Sequence, residues 1–366
     1  MSLQQKPKRR REKRMPVTMD AVIGEYLASL KLRDLSPSTI VTYDKVLSHF
    51  RDYIRRGQPE DTRVPFTAVS LRNARGYIAA KLGQETLYSD HPLHKEREGK
   101  LSPHTVHQHV RVLRAFGHWL TKNDYAGTGL ENLEAPKLPE NLIDILSPEE
   151  IDLLYNLHSP NTLIGSRWRA TFAFFLQTGV RVSELIHLKM DDLEMDHYRA
   201  KIRNGKGRKD RYVSFGAKTW APLDQYIRFY RPEHGDCVFL SLDGQAMTVS
   251  GMEQMVRNAR SKSGIKKLHC HLLRHTFATS YLMAGGSAFE LQEQLGHATL
   301  EMTRKYVHLA NILAKTGAQP EQVERRRSML DKMPGLGSSP EGRRTRPRGA
   351  GSLRPRRSAP ALEPVG

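Results

Sequence analysis

Apolar residues recur at steps of three and four along most of this chain, and polar or basic residues fill the intervals. Residues 17 to about 31 fit a short amphipathic helix. Ser36-Pro37-Ser38-Thr39 is a helix-start signal, with Ser36 as N-cap and Pro37 in the first helical position, where its missing N–H costs nothing. Ile40, Tyr43, Val46, Leu47, Phe50, Tyr53 and Ile54 then form one stripe, with Asp44, Lys45, Arg51 and Arg55 off it. Residues 67–82 predict a third helix, and the polar, charged run 84–101 a loop. Ser102-Pro103 repeats the start signal ahead of Val106, Val110, Leu113, Phe116, Trp119 and Leu120, with His104, His107, Arg111 and Arg114 largely on the other side. The first third of the chain therefore reads as a helical bundle with polar, partly basic outer faces.

Residues 126–145 lack strong periodicity and read as a linker. Ser147-Pro148-Glu149-Glu150 opens a second domain, with acidic residues favourably placed in the first turn of a helix. Trp168, Phe172, Phe175 and Leu176 mark the next helix, and Gly179 is suited to stop it in the left-handed conformation. Residues 198–204 and 211–215 flank Gly205-Lys206-Gly207-Arg208-Lys209-Asp210, which reads as a β-hairpin with a long basic turn. Helices resume from about residue 250. The fold class is mainly α, in two domains, with a small sheet or hairpin in the second.

The chain has 366 residues and a formal net charge of +19. Residues 1–15 carry +6 and residues 334–366 carry +5, which leaves +8 on the body between them. A basic body as well as basic tails points to a polyanionic partner, nucleic acid above all. Both tails have the composition of disordered segments. Two cysteines, Cys237 and Cys270, without paired spacing argue against a disulfide framework and fit a reducing cytoplasm. No apolar run approaches the ~18 residues that a membrane span needs. The basic N-terminus is not followed by the apolar segment of a secretory signal.

The chemistry-bearing residues come in a fixed order: Arg181, Lys206 in a Gly-Lys-Gly turn, His271 and Arg274 as His-x-x-Arg, His297 in Leu-Gly-His, and Tyr306 nine residues later. Transfer of a phosphoryl group from a phosphodiester needs three things: a nucleophile, cations on the non-bridging oxygens, and a proton for the leaving 5′ oxygen. Arginine suits the second task because its fork donates two parallel bonds and keeps its charge. His271 and Arg274 share a helical face. His269-Cys270-His271 lacks the second ligand cluster that a metal site needs.

In these motifs the chain resembles the tyrosine recombinase (phage integrase) family. The resemblance is carried by Thr178-Gly179-Val180-Arg181-Val182-Ser183-Glu184-Leu185, Gly205-Lys206-Gly207, His271-Leu272-Leu273-Arg274-His275-Thr276-Phe277-Ala278-Thr279, Leu295-Gly296-His297 and Tyr306. It implies a helical core-binding domain over residues 16–125 and a mixed α/β catalytic domain over 146–316. Tyr306 would attack the scissile phosphate and form a 3′-phosphotyrosine that conserves the bond energy, so that neither cofactor, ATP nor metal is called for. Arg181, Arg274 and His297 would stabilise the transition state, Lys206 would protonate the leaving oxygen, and His271 would serve as general base or proton relay. Glu184 would support the site. Lys206 is preferred to Lys209 because its flanking glycines match the family.

His275 reads as a structural neighbour of the site, and Thr299 as the N-cap of the tyrosine helix. The resemblance further implies double-stranded DNA as partner and a homotetramer on two recombination sites, with a related recombinase or a DNA-bending protein as further partners. Residues 317–333, read as a C-terminal helix, would dock on a neighbouring protomer. The closest type is an Xer-like or mobile-element integrase. A type IB topoisomerase shares the chemistry, and a DNA-binding regulator without catalysis shares the charge. The target sequence is not written in the chain.

Overall fold

The structure is a computed structural model that describes residues 17–59, 62–87, 97–125, 127–138, 143–203 and 210–315. Lys206, Lys209, both basic tails and the expected C-terminal helix lie outside the described residues. The chain divides into two compact units, Met1–Asn141 and Leu142–Gly366.

In the first unit the start signals act as the sequence predicts. The Ser36 side chain accepts from Thr39 N at 3.2 Å ahead of α2 (Pro37–Arg55), and Ser102 accepts from Thr105 N at 3.1 Å ahead of α4 (Pro103–Lys122). Two further helices, α1 (Met19–Leu32) and α3 (Leu71–Leu82), complete the bundle. Phe66–Ala68 form a separate 3-10 turn, so the third helix starts at Leu71 rather than at 67, with Ser70 accepting from Asn73 N. The stripes meet in one core: Tyr26 and Leu30 of α1, Leu47 and Phe50 of α2, Tyr77 of α3, and Val106, Val110, Leu113 and Phe116 of α4 are all buried. The region read as a loop holds a short antiparallel pair, β1 (Thr86–Leu87) with β2 (Arg97–Glu98).

Residues 127–138 differ from the expected linker. Leu130 and Leu133 are buried in the first core, and the Thr128 carbonyl accepts from Leu71 N at 2.8 Å. Their ordered part is a 3-10 turn of three residues, Leu130–Asn132, too short to show any periodicity. On the other side of the boundary, Leu146 N donates to Thr276 Oγ1 at 3.0 Å and belongs to the second unit.

The second unit opens with a full capping box. Ser147 Oγ accepts from Glu150 N, and Glu150 Oε2 accepts from Ser147 N, ahead of α5 (Pro148–Tyr155). Helix α6 (Leu163–Thr178) buries Trp168, Phe172, Phe174 and Phe175 and stops at Gly179, which is left-handed (φ 59°). A short helix, α7 (Val182–Ile186), leads to an antiparallel meander of β3 (Leu193–Glu194), β4 (Arg199–Ile202) and β5 (Arg211–Ser214), in that order. The expected hairpin is present, with Ile202 opposite Arg211. Strand β3, at two residues, is too short to alternate and has no sequence signal.

Helices α8 (Ala217–Gln225), α9 (Val249–Ser263), α10 (Cys270–Met283), α11 (Ala288–Leu295) and α12 (Leu300–Lys315) follow. A main core gathers α6, the sheet and the start of α10. A smaller cluster of Phe277, Ala278, Tyr281, Leu291, Leu295 and Tyr306 joins α10 to α11 and α12. No described helix is long and apolar enough to cross a membrane.

Candidate active site

Two left-handed glycines place the arginine cradle. Gly179 ends α6 and turns the chain so that Arg181 caps α7. A Cβ at Gly179 would fall inside contact distance of the Phe277 ring and 2.8 Å from Leu295 Cδ2, so only glycine satisfies both the conformation and the packing. Gly296 (φ 63°) ends α11 in the same way, directly before His297. The carbonyls beside these turns receive the arginines. Arg274 donates to the Gly179 carbonyl at 2.5 Å and the Leu295 carbonyl at 2.9 Å, and Arg181 donates to the Gly296 carbonyl at 3.2 Å. Three segments far apart in the sequence are clasped into one site.

Arg274 is only 3% exposed. It is bonded to two carbonyls and meets the Tyr306 side chain, and no described carboxylate pairs with it. Burial, with Arg181 nearby, lowers its pKa to about 10. A guanidinium carries five N–H donors, and two are used in this way. A buried cation lacking a counter-charge costs several kcal/mol, and an incoming anion offsets that cost.

Glu184 lies at the back of the cradle. Burial raises its pKa, but the Arg211 fork and Arg181 outweigh burial and hold it near 2. Arg181 Nη1 meets Glu184 Oε1 at 2.8 Å, and the Arg181 backbone N–H meets Oε2 at 2.8 Å. Arg211 meets both oxygens, at 2.9 and 2.8 Å, and its Nε donates to the Gln294 carbonyl at 2.8 Å. Arg211 is absent from the sequence prediction. Its signal was alternation: it sits two residues before Val213 and four before Phe215, both fully buried, so the basic side chain points to the inward face of its strand.

Tyr306 is 5% exposed, on α12. Its Oη lies 2.9 Å from His275 Nδ1. The His297 ring stacks on the Tyr306 ring, with centroids 6.0 Å apart and planes 9° apart, and His297 Nδ1 is held by Thr303 Oγ1 at 2.8 Å. Burial raises the Tyr306 pKa above its ordinary 10, with Arg274 and Arg181 acting in the opposite direction. The structure thus brings together Arg181, Glu184, His271, Arg274, His297 and Tyr306.

His275 was read as a structural neighbour, yet its ring makes the contact with the phenol. Burial, then His271, His269 and Arg274, lowers its pKa to about 4. Its signal was its position four residues after His271, which puts both rings on one face. The two rings meet edge to face at 5.5 Å. His271 lies at the exposed rim, and partial burial followed by Arg274 pushes its pKa down. Arg181 and Arg211 bond the one carboxylate, Glu184, and Arg274 bonds carbonyls, so three guanidinium groups against one carboxylate leave the described site cationic overall.

Residues 144–311 match the model of the phage integrase family. Among curated proteins, the tyrosine recombinase XerD of Listeria monocytogenes is 30% identical over 306 residues, covering 81% of this chain and 97% of the relative. The tyrosine recombinase XerC of Staphylococcus aureus is 28% identical over 299 residues, covering 80% of this chain and 93% of that protein. Among solved structures, the Tn1549 transposon integrase in complex with a circular intermediate DNA aligns with a TM-score of 0.59 at 16% identity, covering 82% of this chain and 99% of that one. A XerH site-specific recombinase bound to difH substrate aligns with a TM-score of 0.56 at 21% identity, covering 83% and 84%. At those identities the structural likeness speaks for the fold.

Proposed function

We propose, for a chain that belongs to the phage integrase family of tyrosine recombinases and is an enzyme of site-specific DNA recombination, that Tyr306 is the nucleophile and the arginine cradle is its phosphate site. One observation carries the reading: a buried tyrosine hydroxyl stands on a histidine nitrogen and against Arg274, a buried cation held by carbonyls and with no described carboxylate bonded to it. A phosphodiester is the counter-charge that fits it. Arg181 and Arg274 hold the non-bridging oxygens, and His297, fixed by Thr303, supports the developing charge.

At rest the proton stays on Tyr306. Burial raises the phenol above its ordinary range and holds the imidazole near 4, and both shifts keep the proton on the oxygen. DNA acts on both groups. The phosphate's negative charge raises the histidine pKa values, which makes His275 Nδ1 a better acceptor, and raises the phenol's as well, so the proton leaves Tyr306 Oη only as that oxygen turns onto phosphorus, with His271 as relay to the rim. The phenolate oxygen then bonds to phosphorus, and the 5′ oxygen leaves as a hydroxyl with a proton from Lys206 in the hairpin turn. The resulting 3′-phosphotyrosine stores the bond energy for a second strand's 5′-hydroxyl. Duplex DNA is the partner, a reading supported by the Tn1549 integrase structure in complex with a circular intermediate DNA. The first unit is the core-binding domain and the second the catalytic domain. Four protomers act on two sites in the cytoplasm.

The test uses the full chain and a pool of nicked duplexes randomised around the nick. Wild type forms a covalent adduct that survives denaturation, and sequencing of the adducts returns its site. Tyr306→Phe forms none while still shifting the selected duplex. Adducts persisting in that variant would sink the assignment.

A further inference from the structure

The Glu184 carboxylate poses a problem for the phosphate site just described. It is buried, permanently charged, and bonded to Arg181, the same guanidinium that is to receive a phosphate. Left with Arg181 alone it would close on that fork and neutralise it. We propose that Arg211 is a positioning residue for phosphate capture: it engages both oxygens of Glu184, so that the carboxylate orients Arg181 without cancelling its charge. This rests on Arg181 as a phosphate-binding group.

The two arginines divide the work by geometry. Arg211 has Nε, Nη1 and Nη2 all committed to protein oxygens at 2.8–2.9 Å, and its side chain is 10% exposed. It faces inward and is spent. Arg181 meets the carboxylate through Nη1 only, its Nη2 reaches a carbonyl at a longer 3.2 Å, and its side chain is 22% exposed. Arg181 is the more open and more weakly bound of the two, as a group that must turn toward a substrate has to be. The carbonyl that receives Arg181 belongs to Gly296, and a Cβ there would meet the Arg211 guanidinium at 3.1–3.2 Å. The glycine thus lets Arg211 lie flat against the turn that also steadies Arg181.

Arg211 has a second position that the experiment must separate. It begins β5, opposite Ile202 and five residues after Lys206 in the sequence. Its loss could act on the proton donor instead of on the charge balance. The variants are Arg211→Gln, Arg211→Lys, Glu184→Gln and the double Glu184→Gln/Arg211→Gln, with folding followed by thermal melting. Cleavage rates are measured in the full chain on the duplex selected by wild type. A second duplex carries sulfur in place of the 5′ bridging oxygen, because a thiolate leaves without a proton.

Arg211→Gln is expected to cleave about 100-fold more slowly, with its melting transition retained. The double variant, in which the surplus negative charge is gone, should recover at least about tenfold over Arg211→Gln. The sulfur substrate should leave the Arg211→Gln defect in place. Arg211→Lys, which keeps the charge without the fork, should stay within about tenfold of wild type. The proposal is overturned if Arg211→Gln cleaves at the wild-type rate, if the double is no faster than the single, or if sulfur restores the single. Should Arg211→Gln not fold, a folded Arg211→Lys more than about 100-fold below wild type overturns it instead. A wild type that forms no Tyr306 adduct overturns the underlying reading and not this one.

Discussion

Among the described residues, each unit holds a tyrosine hydroxyl bonded to a histidine ring. In the first, Tyr77 Oη lies 2.7 Å from His109 Nδ1; in the second, Tyr306 Oη lies 2.9 Å from His275 Nδ1. Both histidines have pKa values near 4, with burial the leading cause, and both tyrosines are raised by burial. A tyrosine hydroxyl on an imidazole is therefore not by itself a catalytic arrangement. What differs is the surroundings. Tyr77 and His109 are packed among Phe50, His49 and Tyr53, a satisfied polar pair inside a helical core. Tyr306 stands beside Arg274 and Arg181, which oppose the effect of burial on its acidity, and His275 leads through His271 to the exposed rim. Tyr77 also has cations near it, Lys81 Nζ at 5.8 Å from its ring centroid and Arg56, so what sets the Tyr306 pair apart is the buried arginine cradle and the path to the rim, on which the proposed roles of nucleophile and base rest.

The largest contrast should come from removing the hydroxyls. Tyr306→Phe is expected to lower adduct formation by more than about 10⁴-fold while its melting temperature stays close to wild type. Tyr77→Phe should leave adduct formation intact but destabilise the first unit by about 1–2 kcal/mol, since the His109 nitrogen loses its partner inside the core. Denaturant unfolding beside the cleavage assay checks both. Equal effects of the two substitutions on cleavage would dissolve the distinction.

Arg274→Gln tests the cations. Cleavage should fall about 10²–10³-fold, whereas stability should hold or rise, because a buried charge without a carboxylate partner is replaced by a neutral group. A large loss of stability would mean that the two carbonyl bonds matter more to the fold than the burial of the charge.

Acid should act on both pairs in the same direction. A histidine whose folded pKa lies near 4, against ~6.5 when unfolded, binds fewer protons in the folded state. Its contribution is complete above pH 6.5 and is lost as the pH falls toward 4. For the buried His109 the total is at most about 3 kcal/mol, and the more accessible His275 should give less. Urea midpoints at pH 7.5 and 5 are expected to drop in the wild type and to drop less in His109→Gln. An unchanged slope in that variant counts against the first-unit pair as an acid-sensitive element. The smallest effect belongs to Thr303→Val, which frees His297 Nδ1 from its partner and should slow cleavage by a few-fold without altering DNA binding.

Local signals were read correctly where the chemistry is local. Ser36, Ser102 and Ser147 each cap the helix that follows, and Gly179 stops α6 in the left-handed conformation, because a cap needs only neighbours in sequence. The residues brought together at the site were also legible, since His-x-x-Arg and Leu-Gly-His fix side chains by helical and turn geometry. Two partners were not. Arg211 reaches Glu184 across 27 residues, and only the folded meander shows that the inward face of β5 meets α7. His275 could be assigned to the same face as His271, but which of the two meets Tyr306 depends on how α12 packs against α10. The buried turn at Leu130–Asn132 escaped because three residues have no period to detect.

The clasp between the three segments also bears on how the protein is made. Arg181, Glu184 and Arg211 lie within 31 residues of one another, but the carbonyls of Leu295 and Gly296 that steady the arginines, and Tyr306 itself, come more than 80 residues after Arg211. Chains are synthesised and fold from the N-terminus. A polypeptide halted before residue 295 has most of the cations, lacks the carbonyls that aim them, and has no Tyr306 to break a strand. On the proposed role of Tyr306, cutting power therefore arrives only once that residue has been made, and a copy halted before it does not nick DNA.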